Sequence, residues 1–462
     1  MKEYDVLIVG GGPAGAIIGK YCADKGLKTI IFERGEKPGE KTVSGCGLSP
    51  KLWKDFKFMN EMFDDLPYRL ADMATIHIVD KDNKERSKLS FSASEFAPYP
   101  EAQKFLTINI ARGVFDPWLM KYATNEGAEL KTKTTIIDMK VDKEKKECEL
   151  ISRKGEKFKG KIILAADGAM STIARKTGLK KKWNGNECCW MINYDFAAPK
   201  EKIDLVAGGN ALHYYYSASF PTGYIFYTLE GFHLGLGSFF NHVVNESWKP
   251  KLLLNKLYDV QDIKKQVILT GGKLREYQAH LLPMIDQPSK TFTDHVLLLG
   301  DAAGFLCPFE AEGVYYAMLS GEIATKTVED AITNEDFSDS FLSSYETNWK
   351  NSIIGEEFLL GPSFSSIVRG LFFNPSAAND LILAINDIFY NFTNVAETHY
   401  KNLKNLEDNL SKHAPLAQKL YSEYLDSFIA EVNKDNKSTL PINQIIQALF
   451  ASLSKKKKQE KN

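Results

Sequence analysis

Apolar positions along the chain fall into short unbroken runs and longer alternations, separated by glycine-bearing turns. Near the N-terminus VLIV (6–9) reads as a strand buried on both faces. It leads directly into GGGPAG (10–15), then an apolar helix, then a second strand, KTIIF (28–32), ending at Glu33. MATIHIVD (73–80) and KLSFSASEFAPYP (88–100) read as strands and a loop. Residues 112–125 carry helical spacing, LKTKTTIIDMKV (130–141) alternates, and IILAADG (162–168) is again a buried strand. From 187 to 285 the pattern is β-rich, through ECCWMINYDF (187–196), ALHYYYSASF (211–220), GYIFYTL (223–229), GFHLGLGSF (231–239) and KLREYQAHL (273–281). VLLLG (296–300) returns to a buried strand and precedes a second glycine-bearing turn and helix at 300–330. Residues 336–462 read as helices rich in Asn, Lys and aromatic residues.

This interleaving predicts a discontinuous α/β fold. A dinucleotide-binding domain in three parts (1–72, 105–180 and 286–335) is interrupted by a β-rich substrate domain in two parts (73–104 and 181–285). A C-terminal helical region with a lysine-rich tail covers 336–462. A length of 462 residues fits about two to three domains. The 44% hydrophobic content and net charge of −1 suit a soluble globular enzyme and argue against a nucleic-acid binder. A strand starting by residue 4 leaves no room for a signal peptide, and no apolar run reaches membrane-spanning length. The six cysteines show no CxxC or four-ligand spacing. That is a reduced, cytoplasmic pattern with no metal site expected, and His213, His233 and His280 lack ligand spacing too. The amphipathic stretch 442–453 abuts lysines 455–458. It reads either as an interfacial helix making peripheral membrane contact or, the favoured reading, as a packed helix with a frayed tail.

The chemistry concentrates in the two glycine turns. Gly10 allows a tight strand-to-helix turn, Gly12 lets backbone approach a pyrophosphate, and Gly15 permits close helix–strand packing. The helix N-terminus adds amide donors, and Glu33 is placed to bond ribose hydroxyls. Within VLLLGDAAGFLCPFEAEGVYYAMLSG (296–321), Asp301 ends a strand and Gly313 opens a helix. Such an aspartate can accept a ribityl hydroxyl, and such a helix end can stabilise charge on a flavin pyrimidine ring. ADGAMSTIARKTG (166–178) is another strand-end Asp-Gly turn, with Ser171 and Arg175 on the following helix. INIARGVFDPWL (108–119) sets Arg112 and Asp116 one helical turn apart. Singly, Asp301 could be a helix cap and Arg112–Asp116 a surface ion pair. Together, in this order, they point to FAD.

GGGPAG, Glu33, Arg112-x-x-x-Asp116, Asp167-Gly168 and Gly300-Asp301 together resemble the glutathione-reductase-type, two-domain FAD monooxygenase and reductase superfamily. Within it, SGCGLSP (44–50), the stretch 300–321 and YSASFP (216–221) are similar to the geranylgeranyl reductase family, the last to its YxWxFP substrate motif. The resemblance covers roughly residues 1–335. EYQAHLLP (276–283) and the serine of SGCG also resemble the sister dehydrogenases related to electron-transfer-flavoprotein:quinone oxidoreductase.

The resemblance implies a glutathione-reductase-type FAD-binding Rossmann domain interrupted by a β-rich substrate domain. It carries cofactor contacts onto Gly10, Gly12, Ala14, Gly15, Glu33, Arg34, Cys46, Gly47, Arg112, Ile136, Asp301, Gly313 and Val314. It carries substrate contacts onto Tyr216, Phe220 and Pro221. Cys46 is the catalytic candidate, as proton relay or flavin-loop positioner, against the alternative of a small buried filler. Cys307 reads as packing. The implied activity is saturation of C=C bonds in geranylgeranyl chains of membrane lipids or their precursors. GFHLGLG (231–237) lacks strand–turn–helix context, so no second nucleotide fold is expected. Electrons would then come from an external donor, a ferredoxin-like protein or NAD(P)H. The alternatives are an electron-transfer flavoprotein dehydrogenase linked to quinone or ferredoxin, and an FAD-dependent hydroxylase. Two departures stand out. Ala218 replaces the motif tryptophan, and no cysteine follows Cys307 to hold the iron–sulfur centre of the quinone oxidoreductases. The aromatics at 214–227 would line an isoprenoid tunnel or simply fill the sheet core.

Overall fold

Strand Val6–Val9 is four consecutive apolar residues, all buried. It lies inside a six-stranded sheet ordered Phe292–Thr293, Val296–Leu298, Ile162–Ala165, Val6–Val9, Thr29–Phe32, Glu129–Lys131. All neighbours are parallel except the outermost pair, Phe292–Thr293 with Val296–Leu298. The computed structural model describes residues 3–40, 47–80, 82–92, 105–245, 247–307 and 311–359. Three separated stretches of chain therefore build one sheet. Its C-terminal strand ends bring the turns after Val9, Ala165 and Leu298 together, since Ala166 N–H donates to Val9 and Leu299 N–H to Ala165. That edge is where an open α/β sheet holds its ligands.

A second, seven-stranded sheet is ordered Lys273–Pro283, Cys188–Ala197, Gly231–Phe239, Phe220–Tyr227, Asn210–Ser217, Met73–Val79, Glu85–Ser92. One face is covered by helices Lys200–Ala207, Pro250–Tyr258 and Gln261–Thr270. The packing is close enough that a Cβ on Gly223 would stand 2.6 Å from Leu257.

The α/β character, the interrupting β-rich sheet and helix Arg112–Asn125 match the sequence reading. Three features do not. The stretch 187–285 contains the three covering helices as well as strands. Their buried positions, such as Ile263, Gln266, Val267 and Thr270, do recur at helical spacing. At eight to ten residues each, with β-branched side chains in two of the three, that signal is weak. The hairpin Glu147–Ser152/Lys157–Gly160 was not anticipated either. Finally, 211–220 is not one strand. It stops at Ser217, and Phe220 begins the next strand.

Beyond the sheets, helices Asp339–Lys350 and Ile353–Leu359 brace the outer strands of the parallel sheet. Tyr345 donates its hydroxyl to the Leu298 carbonyl at 3.0 Å, and Trp349 donates to Thr291 Oγ1 at 3.0 Å, both buried. Among the described residues no helix is long and apolar enough to cross a membrane. Stretch 442–453 and the lysine tail lie outside the described residues. Tyr345→Phe keeps the ring and removes one buried hydrogen bond. It should cost about 1–2 kcal/mol in a urea melt without changing the slope, leaving the fold intact.

Candidate active site

The first glycine turn is shaped by what cannot be there. Gly10 sits at φ +110°, and a Cβ on it would lie 2.1 Å from the Ala166 carbonyl oxygen. A Cβ on Gly15 would lie 2.0 Å from the Gly10 oxygen. Side chains at either position would push the strand, turn and helix apart. Gly12 differs: nothing lies within 4 Å of where its Cβ would be. It is also the N-cap of helix Pro13–Asp24, with no side-chain cap hydrogen bond. Uncapped amides and open space meet there, the arrangement that accepts a pyrophosphate.

Glu33 holds this turn to the next one. Its Oε2 accepts from Gly11 N–H at 3.1 Å and its Oε1 from Gly35 N–H at 2.6 Å. A carboxylate oxygen retains acceptor capacity after one bond, so ribose hydroxyls can still be accommodated. Alongside, Lys133 N–H donates to the Gly35 carbonyl and Thr134 N–H to that of Glu33. Exposed Arg34 and buried Ile136 therefore flank the same edge.

The second turn closes on the first. A Cβ on Gly300 would lie 3.1 Å from Ala317 Cβ and 3.5 Å from Ala14 Cβ. A Cβ on Gly321 would lie 2.9 Å from the Ala14 oxygen, so helices Pro13–Asp24 and Val314–Asn334 cross almost backbone to backbone. Asp301 Oδ1 would be 3.2 Å from a Gly313 Cβ, and Gly313 is the N-cap of the helix that Val314 opens, where Glu312 Oε1 accepts from Tyr315 N–H at 2.9 Å. Burial pushes the Asp301 carboxyl up to about 6, partly opposed by the Arg112 guanidinium.

Arg112 is fixed by a bidentate pair with fully buried Asp116, Nε to Oδ1 at 2.5 Å and Nη2 to Oδ2 at 2.7 Å. This is not a surface ion pair. Its charge also reaches His280 on strand Lys273–Pro283. Burial first, then Arg112 and Arg34, push that imidazole down to about 4. His280 is thus neutral near pH 7 and marks where the substrate sheet meets the cofactor-side turns. Sequence reasoning did not select it, although it lies in EYQAHLLP, noted only as a kinship signal. Asp167 accepts from Thr172 N–H at 2.7 Å, while its Oδ1 is buried with no partner. Such an orphan next to the Gly10 turn suits an incoming donor.

Other positions fall elsewhere. Cys46 lies outside the described residues, whereas Gly47 pairs with Asn109 on the strand leading to Arg112. Cys307 is buried, its thiol 3.6 Å from Glu357 Oε2. Tyr216 and Phe220 are separated. A β-bulge between Tyr215 and Ser217 pairs Ser217 with Phe220. Phe220 therefore joins the helix-covered core with Tyr215, whereas Tyr216 packs with Ile78 in a different cluster. Pro221, next to the bulge, is buried. His77, Glu85 and Asp262 place one ligand atom each within 4.8 Å of one another. That group touches Tyr215, toward the covering helix Gln261–Thr270, and is no part of this cleft.

Residues 3–348 match the family described as FAD binding domain. The chain belongs to that family. FAD fits what the residues offer: an uncapped helix end with open approach over Gly12, and polar groups at Glu33, Asp167 and Asp301 at the turns that the parallel sheet brings together. The chain is 26% identical over 357 residues to a digeranylgeranylglycerophospholipid reductase of Methanococcus vannielii, covering 76% of this chain and 83% of that one. It is 27% identical over 363 residues to protein FixC of Escherichia coli, covering 74% and 80%. A solved geranylgeranyl bacteriochlorophyll reductase-like protein from Thermoplasma acidophilum superposes with TM-score 0.66 at 22% identity, covering 91% of this chain and all of that one. At that identity the likeness speaks for the fold.

Gly12→Val and Asp301→Ala should each give folded protein that retains much less FAD, read from the flavin absorbance per chain. Full occupancy in both would misplace the site. FAD affinity should also depend on pH. The Asp301 carboxyl titrates near 6 in the cofactor-free protein, and a hydroxyl donor on the cofactor favours its charged form. Binding then releases a proton, so affinity falls by up to about tenfold per unit as pH drops below about 6. Asp301→Asn should flatten the fluorescence-titration profile. His280, neutral down to about 4, does not contribute in that window.

Proposed function

We propose that the chain is an FAD-dependent reductase that saturates C=C bonds of geranylgeranyl-type isoprenoid chains on membrane lipids or their precursors. One observation supports this most strongly. In the turn after Asp301, Leu306 packs in one cluster with buried Cys189, Phe239 and Met284 of and beside the substrate sheet, flanked by Met191 and Leu282. An apolar contact at the reactive end of the cleft suits a hydrocarbon chain and keeps water out. The names of three relatives that match three quarters of this chain, all digeranylgeranylglycerophospholipid reductases, point the same way, while that of FixC, at similar coverage, names no substrate.

Bound and reduced, FAD supplies a hydride equivalent, which with one proton saturates a double bond. The remaining work falls to the protein. An isolated alkene is a poor hydride acceptor, so it must be held close and dry while the proton arrives. Arg112, locked by Asp116, keeps a fixed positive charge beside Asp301, and neutral His280 adds no second cation to the boundary with the substrate sheet. Tyr216 is the proposed wall of the chain-binding cavity. Phe220 supports that sheet from its other side. Cys46, one residue before Gly47, is the proposed proton relay. The two electrons come from an external donor, a ferredoxin-like protein or NAD(P)H.

The test begins with anaerobic photoreduction of the flavoprotein, followed by digeranylgeranyl glycerophospholipid. Hydrogen added to the lipid, seen by mass spectrometry as the flavin reoxidises, is the expected result. Reoxidation by a quinone with unchanged lipid would instead make the protein an electron-transfer dehydrogenase. Fast NAD(P)H consumption with oxygen uptake would make it a hydroxylase.

A further inference from the structure

Helix Gln261–Thr270 buries Ile263, Gln266, Val267 and Thr270, so its outward stripe is Lys264, Lys265, Ile268 and Leu269. Two large apolar residues end a stripe that amphipathic patterning would make polar. Ile268 is 77% exposed and Leu269 53%. Neighbouring elements repeat the anomaly. Leu205 on helix Lys200–Ala207 is 87% exposed, and Leu274 on strand Lys273–Pro283 is 55% exposed. The three elements meet at one turn, where Lys202 Nζ lies 3.1 Å from the position of a Gly271 Cβ. The strand is also the outer edge of its sheet, with one side unpaired among the described residues. Single exposed leucines are ordinary; four around one turn are a patch.

Charge identifies what the patch fits. Residues 264–275 carry four cations and no acid, of which Lys264 and Arg275 are paired with Asp259 and Asp195. Lys202, Lys265 and Lys273 have no ion-pair partner among the described residues, unlike Lys200 and Lys264, which are paired with Asp204 and Asp259. Glu201 and Glu276 stand at the margin. A second copy of the chain would bring like charges together across a shared edge. A surface of lipid phosphates would not. We propose that this face docks on an anionic membrane, with Leu205, Ile268, Leu269 and Leu274 entering the interface and the lysines resting on headgroup phosphates. This deepens the reductase reading by assigning the side of the substrate domain that meets a lipid surface.

Full-length protein is tested by flotation with vesicles of phosphatidylcholine alone and with added phosphatidylglycerol. Wild type should float with the anionic vesicles, less so at high salt. Ile268→Ser/Leu269→Ser should weaken binding by about tenfold or more. Lys265→Glu/Lys273→Glu should remove the preference for anionic lipid, at roughly fivefold per lysine lost. Circular dichroism and flavin content report that each variant is folded; substitutions this exposed should leave both unchanged. The proposal is overturned if wild type does not float, or if the folded variants float as well as wild type. It is equally overturned if sedimentation shows wild-type dimers that the serine variant abolishes. Turnover of detergent-dispersed lipid is measured in parallel. Its absence would sink the reductase reading while leaving the vesicle result to judge the docking face.

Discussion

The cleft depends on two helices, distant in sequence, crossing without side chains between them. Ala14 and Gly321 bring backbone within about van der Waals distance, and Gly300 wedges between Ala14 and Ala317. Only at that separation do the helix N-termini at Gly12, uncapped, and at Gly313, where Glu312 takes the Tyr315 amide, come to the same edge of the sheet. Each is a modest source of positive potential confined to its own first turn. Set along one edge of the sheet, they match a ligand that carries a pyrophosphate in its middle and an electron-accepting ring at one end.

The second organising element is a single guanidinium. Removing one partner of a buried pair such as Arg112–Asp116 costs about 3–5 kcal/mol, so the arginine is anchored before any ligand arrives. From that anchor it opposes the rise of the Asp301 carboxyl and depresses the His280 imidazole. Burial is the larger cause for both groups, and one fixed charge bears on each of them. The bland alternative for the Arg112–Asp116 spacing, a solvated surface pair, does not hold: Asp116 is 1% exposed.

Much of the parallel sheet and its turns was legible in the sequence because the determinants are local. An unbroken apolar run, a glycine turn and an acidic strand end lie within residues 6–33, and each implies its own geometry. Asp301 and Gly313 were legible for the same reason. What escaped depends on contacts far apart in the chain. Nothing near His280 announces that Arg112 will stand close to it. Glu33 was read as a ribose ligand, yet its hydrogen bonds in the fold go to Gly11 and Gly35, a tie between turns that spacing alone does not reveal. The covering helices were missed because each is only eight to ten residues long, and two of the three carry β-branched apolar positions. Tyr216 and Phe220 were joined by the motif resemblance, whereas the turn between Ser217 and Phe220 puts them on successive strands and in different clusters.

The extra residue at the bulge beside that turn has a consequence for how such a cavity could change over generations. In a regular strand, altering the wall means replacing side chains one at a time. At a bulge, deleting a single amino acid restores the phase and rotates every residue on that side of the irregularity by half a turn, exchanging inner for outer positions at one stroke. Length variation at 221–222 would therefore exchange which side chains of this hairpin face the covering helices and which face the other side, leaving the parallel sheet and its turns, built from other parts of the chain, untouched.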